Sequence, residues 1–240
     1  LKTVLCIGGL DPAGRAGILA DARAVAAMGA HPVCVAAALT FQSSRRVEGF
    51  EPVTASVLRR QIAVLLQDDA IDAVKIGQLG GAENVAVVLE LPRGLPIVLD
   101  TPLVSSSNAP LIPPSDIAAY APLLSRVTLA TPNAVEVFLL RGLPPAASRE
   151  DALTAARQLG APAVLLKGGH LPGDEVEDIL LVRDETTGFR SPRLPGRFRG
   201  TGCRLAAAIA SRLAMGDALP EAIRRAHDWL RSELVQEAAA

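Results

Sequence analysis

An α/β fold, with a central, mostly parallel sheet and helices on both faces, is what this sequence predicts. Three observations carry that expectation. Short β-branched or aliphatic runs alternate with longer amphipathic ones along almost the whole chain. Half of the 240 residues are hydrophobic and only 3% aromatic, which suits aliphatic packing of helices on a sheet. No Pro-, Gly- or Ser-rich linker and no internal repeat divides the chain, so residues 1–240 read as a single domain.

The elements follow in order. Thr3–Ile7 reads as a strand, then a glycine-rich turn, then a helix from about Ala16 to Met28 that Gly29 ends. Val33–Leu39 is the next strand. Thr54 is placed to cap a helix running to Gln67, with Val57, Leu58, Ile62, Leu65 and Leu66 on one face. Ile71–Ile76 and Pro96–Leu99 are strands separated by an Ala82–Leu91 helix. Pro113-Pro114 and Pro144-Pro145 mark turns. Val127–Ala130, a helix from Asn133, a helix over Ser148–Leu159 and the strand Ala163–Leu166 repeat the alternation. From Asp178 to about Pro195 a hairpin is expected, and Cys203–Met215 and Leu219–Glu237 close the chain as helices. This order implies right-handed crossovers. Ligands in such sheets bind beyond the carboxyl ends of the strands, so the loops there are where chemistry is sought.

Composition narrows the function classes. With 24 basic against 25 acidic residues, a formal net charge of −1, nothing draws the chain to nucleic acid or to an anionic membrane. Apolar runs are interrupted well short of the roughly 20 residues a membrane span needs. Leu1 begins on a strand-like run rather than a basic leader region, and a cytoplasmic location is the expectation. Cys6, Cys34 and Cys203 are odd in number and lack CxxC spacing, which argues against a disulfide framework or a zinc site.

Four strand-end loops stand out. Gly8 to Asp21, reading Gly-Gly-Leu-Asp-Pro-Ala-Gly-Arg-Ala-Gly-Ile-Leu-Ala-Asp, offers backbone amides to an anion, or is an ordinary strand-to-helix turn. Thr131-Pro132-Asn133-Ala134-Val135-Glu136 is a helix-capping arrangement, or a polar pair ordering magnesium-bound water near a phosphate. Leu166-Lys167-Gly168-Gly169-His170 delivers a cation beside a flexible turn, either solvated or on a phosphate. The sharpest is Arg199-Gly200-Thr201-Gly202-Cys203-Arg204, which presents successive amides at a helix start, an anion hole for a phosphoryl group. Cys203 there is either an inert core thiol or one whose thiolate the helix dipole and nearby arginine stabilise.

These motifs, in this order and spacing, resemble the hydroxymethylpyrimidine/phosphomethylpyrimidine kinases of thiamine biosynthesis, within the ribokinase-like superfamily. Gly9 to Asp21 follow that family's G-x-D-P-S-G-G-A-G-I-Q-A-D, and Ala38 to Ser44 echo its A-L-x-A-Q-N-T. Lys75-Ile76-Gly77-Gln78-Leu79 matches K-x-G-M-L, and Val98-Leu99-Asp100 matches V-L-D. T-P-N-x-x-E, K-G-G-H and G-T-G-C are present whole, and the likeness spans about residues 3 to 235.

The resemblance implies ATP-dependent phosphorylation of 4-amino-5-hydroxymethyl-2-methylpyrimidine and its monophosphate, with Mg2+, by a homodimer. Gly9, Asp21, Gln42 and Gln78 would hold the pyrimidine. Lys167, with Asn133 and the glycine loop, would hold the nucleotide, and Asp100, Asn133 and Glu136 would organise magnesium. Gly200, Thr201 and Gly202 would form the anion hole, and Cys203 would take the proton of the substrate hydroxyl. Its thiol is expected below the ordinary range and more reactive than Cys6 or Cys34, both expected buried.

The chain departs from the family at Arg15, Phe41, Ser43-Ser44, Gln78, Ser105 to Asn108, Arg199 and Arg204. The added arginines either clamp phosphate or fill its space. The alternatives are a sibling kinase for another hydroxymethyl compound such as a pyridoxine-like ring, and a catalytically silent pyrimidine-binding paralogue.

Overall fold

The computed structural model describes residues 1–43, 45–105, 109–144, 148–169, 173–196 and 198–239. Ser44, Ser106, Ser107, Asn108, Pro145 and His170, singled out above, lie outside the described residues. The chain opens with β1 (Thr3–Leu10), α1 (Gly17–Ala27), β2 (His31–Gln42) and β3 (Val47–Pro52). It continues through α2 (Ala55–Asp68), β4 (Ala73–Ile76), α3 (Ala82–Val88) and β5 (Ile97–Leu99). After a 3-10 turn come α4 (Tyr120–Leu124), β6 (Leu129–Ala130), α5 (Ala134–Arg141), α6 (Arg149–Arg157) and β7 (Ala163–Leu166). The last elements are β8 (Glu175–Val182), β9 (Glu185–Pro192), α7 (Thr201–Ala214) and α8 (Leu219–Ala239).

One sheet runs through all of this, in the order β3-β2-β1-β4-β5-β6-β7-β8-β9. The inner pairings from β2 to β7 are parallel, whereas β3, β8 and β9 join antiparallel. Parallel inner strands covered on both faces read as near-continuous apolar runs; Val4 to Ile7 and Ala73 to Ile76 are buried without a break, with Lys75 the charged residue among them. Alternate side chains then build two cores. Leu5, Ile7, Val74 and Leu99 face α2 to α6, and Val4, Cys6, Val98 and Leu129 face α1, α7 and α8. Ala206, Ala207, Ala208 and Ala210 are fully buried, and such small side chains let α7 lie close to the sheet and between α1 and α8. Among the described residues no helix is long and apolar enough to cross a membrane.

Several expectations are corrected. The edge strand β3 was not foreseen, because Val-Glu-Gly-Phe-Glu-Pro carries two acids, a glycine and a proline and is largely exposed. Val57 is 49% exposed rather than on the buried face, which is held by Leu58 and Ile62. The Thr54 side chain makes no cap bond and instead lies 3.3 Å from the Ser56 hydroxyl. Cys6 is buried, but Cys34 is exposed. The chain order reverses between β1 and β4, and the functional loops gather around that switch point.

Candidate active site

Every residue that the resemblance assigns to substrate, nucleotide, magnesium or catalysis lines one cleft of about 270 Å³ at the carboxyl ends of the parallel strands. Asp21 comes from α1, Gly9 from the end of β1, Gln42 from the end of β2, and Gln78 from the loop after β4. Asp100, Asn133 and Lys167 follow β5, β6 and β7, and Gly200 to Cys203 open α7.

The first glycine loop proves to be self-contained. The buried carboxylate of Asp11 accepts the Ala13 N–H at 2.9 Å, the Arg15 N–H at 3.0 Å and the Ala16 N–H at 2.9 Å. Three of the amides that made this loop look like an anion site are therefore occupied by the chain's own carboxylate. Asp11 went unassigned in the sequence, although Asp-Pro at a turn start signals such a side-chain-to-backbone closure.

Beside it lies a buried ion pair that sequence reasoning also missed. Lys75 Nζ donates to Asp21 Oδ2 at 2.8 Å, with both side chains essentially inaccessible. Burial raises the Asp21 carboxyl to about 6 against the pull of Lys75. Burial also works against the Lys75 charge, but the Asp21 carboxylate, with help from Cys203 and Asp100, holds the ammonium above the ordinary lysine range. Asp21 Oδ1 has no partner, and such a buried acceptor costs about 1–3 kcal/mol until a donor fills it. Gln78 is buried over Gly9, its Nε2 donating to Leu111 O at 3.0 Å.

At the other end, Lys167 Nζ donates to Asp100 Oδ1 at 2.8 Å and stands 3.8 Å from Glu136 Oε2. Burial opposes the Lys167 charge, yet the two carboxylates hold its ammonium above the usual range. Burial likewise opposes charge on Asp100, but Lys167 and Lys75 outweigh it and keep that carboxyl low. Glu136 is pushed by burial to about 7. Asn133 and Glu136 form a reciprocal capping box on α5: Asn133 Oδ1 accepts the Glu136 N–H at 2.9 Å, and Glu136 Oε2 accepts the Asn133 N–H at 2.8 Å.

The α7 loop has no such closure. Gly200 is the N-cap and no side chain caps the helix. Its φ of +69°, and a Cβ position only 2.1 Å from Arg15 O, demand glycine. Cys203 departs from expectation. Burial pushes its thiol up to about 12, against the pull of Lys75, and Asp100 and Asp21 push in the same direction. The Gly17 N–H beside the sulfur pulls the thiol the other way without offsetting this. Arg204 does not offset this, because its guanidinium pairs with Glu237 on α8. Nor does Arg204 or Arg15 line the cleft; Arg199 does, and its Nη1 donates to Ser43 O at 2.8 Å.

Whether this donor set suits magnesium turns on its oxygens. Among the described residues no group of three or more His, Cys, Asp or Glu is placed to hold a metal ion. Asp100 and Glu136 do supply two carboxylates beside the cleft, and Mg2+ characteristically takes one or two carboxylates, waters and substrate phosphate. That pair fits; one lone pair of the Asn133 oxygen is already engaged in the capping box.

Comparison with known proteins gives one family. A family model described as phosphomethylpyrimidine kinase matches residues 11–240. The hydroxymethylpyrimidine/phosphomethylpyrimidine kinase of Escherichia coli is 35% identical over 97% of this chain and 90% of its own length. Among solved structures, the phosphomethylpyrimidine kinase of Clostridium difficile superposes with a TM-score of 0.81 at 28% identity, covering 98% of this chain and all of its own. The pyridoxal kinase of Staphylococcus aureus in complex with ADP superposes with a TM-score of 0.85 at 28% identity, covering 97% and 87% of the two chains.

Proposed function

The chain belongs to the phosphomethylpyrimidine kinase family, with its ribokinase-like α/β fold, and on that premise we propose that its cleft phosphorylates 4-amino-5-hydroxymethyl-2-methylpyrimidine and then its monophosphate with ATP, as in thiamine biosynthesis. The observation that carries this reading is the division of one cleft into two unlike ends. One end offers a buried carboxylate with an unpartnered oxygen and an amide, Asp21 and Gln42, suited to a ring nitrogen and an amino group. The other offers Lys167 and the uncapped amides of Thr201 to Cys203, suited to phosphate. Cys203 stands between, under the influence of Asp21, Lys75 and Asp100 at once.

In this reading the hydroxymethyl oxygen attacks the γ-phosphorus in line and the bond from that phosphorus to the bridging oxygen of ADP breaks. Phosphoryl transfer asks the protein chiefly for positioning and electrostatic stabilisation. Lys167 and the α7 amides meet charge gathering on the transferred oxygens. A thiol raised to about 12 holds its proton at neutral pH, so Cys203 first accepts a hydrogen bond from the substrate hydroxyl. It takes the proton late, once bond formation has made that hydroxyl acidic, as its own thiol proton passes to the neighbouring Asp100 carboxylate. Magnesium, held through Asp100 and Glu136 with Asn133 in support, would neutralise polyphosphate charge. Gly9, lacking a side chain, leaves room in the cleft wall for Gln78, and Gln78 replaces apolar contact with a polar one. Residues 1–240 act as a single kinase domain, and the expected homodimer predicts a dimeric mass in light scattering.

An assay coupling ATP consumption to a panel of hydroxymethyl pyrimidines and pyridines tests this. Highest kcat/KM for the aminopyrimidine supports it. Preference for a pyridoxine-like ring would reassign the substrate, and no turnover with any panel member would point to a silent binding protein.

A further inference from the structure

Asp178 does not line the cleft, yet its carboxylate reaches the loop that carries Lys167. It lies in β8, 5% exposed, next to Ile179, the partner of Leu166 at the end of β7. Its Oδ1 accepts the Gly168 N–H at 2.8 Å, and its Oδ2 lies 3.4 Å from His227 Nε2 on α8. Phe189, opposite Asp178 in β9, sets its ring 6.4 Å from that imidazole. The close approach depends on Gly168, because a Cβ there would stand 2.1 Å from Glu177 O and force the loop off β8. The flanking residues are tied as well. The Lys167 N–H donates to Pro132 O at 2.9 Å, and Arg193 Nη1 donates to Gly169 O at 3.0 Å. Of these ties, only Asp178 puts a buried ionisable acceptor on the peptide that links Lys167 to the turn, and charge-assisted bonds of this kind are short and directional.

We propose that Asp178, backed by His227, is a positioning residue for the phosphate end of the cleft. By holding the Gly168 amide it fixes the peptide plane after Lys167, and so the direction in which that side chain leaves β7 toward Asp100. The inference rests on the reading of Lys167 as the phosphate-side lysine, and goes beyond it by assigning work to a residue outside the cleft.

Calorimetric titration of the full chain with ADP, and separately with the hydroxymethyl pyrimidine, tests it. Asp178→Ala is expected to raise the ADP Kd about tenfold and leave pyrimidine Kd within about twofold, since only the phosphate end is misdirected. Asp178→Asn retains an oxygen for the Gly168 amide and is expected to restore ADP affinity to within about threefold of wild type. Lys167→Met is the reference, expected to weaken ADP at least about tenfold. If Lys167→Met binds ADP as wild type does, the phosphate-side reading falls and this inference with it. If Lys167→Met weakens ADP while Asp178→Ala does not, the inference alone is overturned. Equal loss of both ligands in Asp178→Ala would mark a merely structural role and overturn it too. Should Asp178→Ala fail to fold, Asp178→Asn decides alone: near-wild-type ADP affinity supports the assignment, and a tenfold loss rejects it.

Discussion

The two glycine loops that flank the cleft read alike as sequence and differ as structure. Both follow a sheet element, both place glycines before a helix, and both present amides at that helix start. In the first, no side chain caps α1, but Asp11 supplies a carboxylate to three amides of the turn leading into it, those of Ala13, Arg15 and Ala16. In the second, no side chain fills the start of α7. A row of amides thus becomes a ligand site only where the chain withholds its own anion. Substitutions in the first loop should act on stability, and substitutions in the second on turnover.

The largest expected effect lies in the second loop. Cys203→Ala should lower kcat about 10³-fold, the scale of a lost proton acceptor, with pyrimidine affinity little changed. Steady-state kinetics beside pyrimidine titration would check this, and an alanine variant with full turnover would remove the thiol from the mechanism. The next effect lies in the first loop. Asp11→Ala leaves three amides without their charged acceptor and should cost about 3 kcal/mol in urea unfolding, with nucleotide KM little changed. Sulfate should then raise the Tm of Asp11→Ala more than that of wild type, because the vacated amides accept an external anion. Equal sulfate effects on both proteins would break the comparison.

Smaller effects sharpen it. Gln78→Met replaces the amide bonded to Leu111 O with a soft apolar contact, and should shift pyrimidine affinity about fivefold; unchanged affinity and preference would clear Gln78 of any part in specificity. Thiol reactivity should follow environment rather than loop type. At pH 8 iodoacetamide should label Cys34 first, because it is exposed and its hydrogen bond with Cys6 lowers its thiol below the ordinary range. Cys203, pushed up to about 12, should follow slowly, gaining about tenfold per pH unit as its thiolate fraction rises. Buried Cys6, raised by its hydrogen bond with Cys34 and by burial, should be last. Mass spectrometry of labelled peptides gives the order directly.

Much of this architecture was legible before any coordinates. The alternation of aliphatic runs and amphipathic stretches marked the parallel strands and their helices, because strands buried on both faces read as near-continuous apolar runs. β3 escaped because an edge strand is half solvated and needs no apolar run. The strand-end loops were legible as places, but not in their pairings. Nothing local to Asp21 announces Lys75, which arrives from β4 across the β1–β4 switch point. Arg204 was expected either to clamp phosphate or to fill its space, whereas helix geometry turns it to Glu237 on α8. The Cys203 thiol was misjudged for a related reason. Helix position alone lowers a thiol, but burial and the neighbouring carboxylates of Asp100 and Asp21 raise it further than the dipole and Lys75 bring it down.

The central claim is that phosphate is received at the start of α7 and not at the first glycine loop. Amide chemical shifts of the labelled protein, followed during titration with a non-hydrolysable ATP analogue, test it most directly. The account predicts large, saturable shifts at Gly200, Thr201, Gly202 and Cys203, with Ala13, Arg15 and Ala16 nearly still because Asp11 holds them. Saturable shifts at Ala13 to Ala16 with Gly200 to Cys203 unmoved would contradict it.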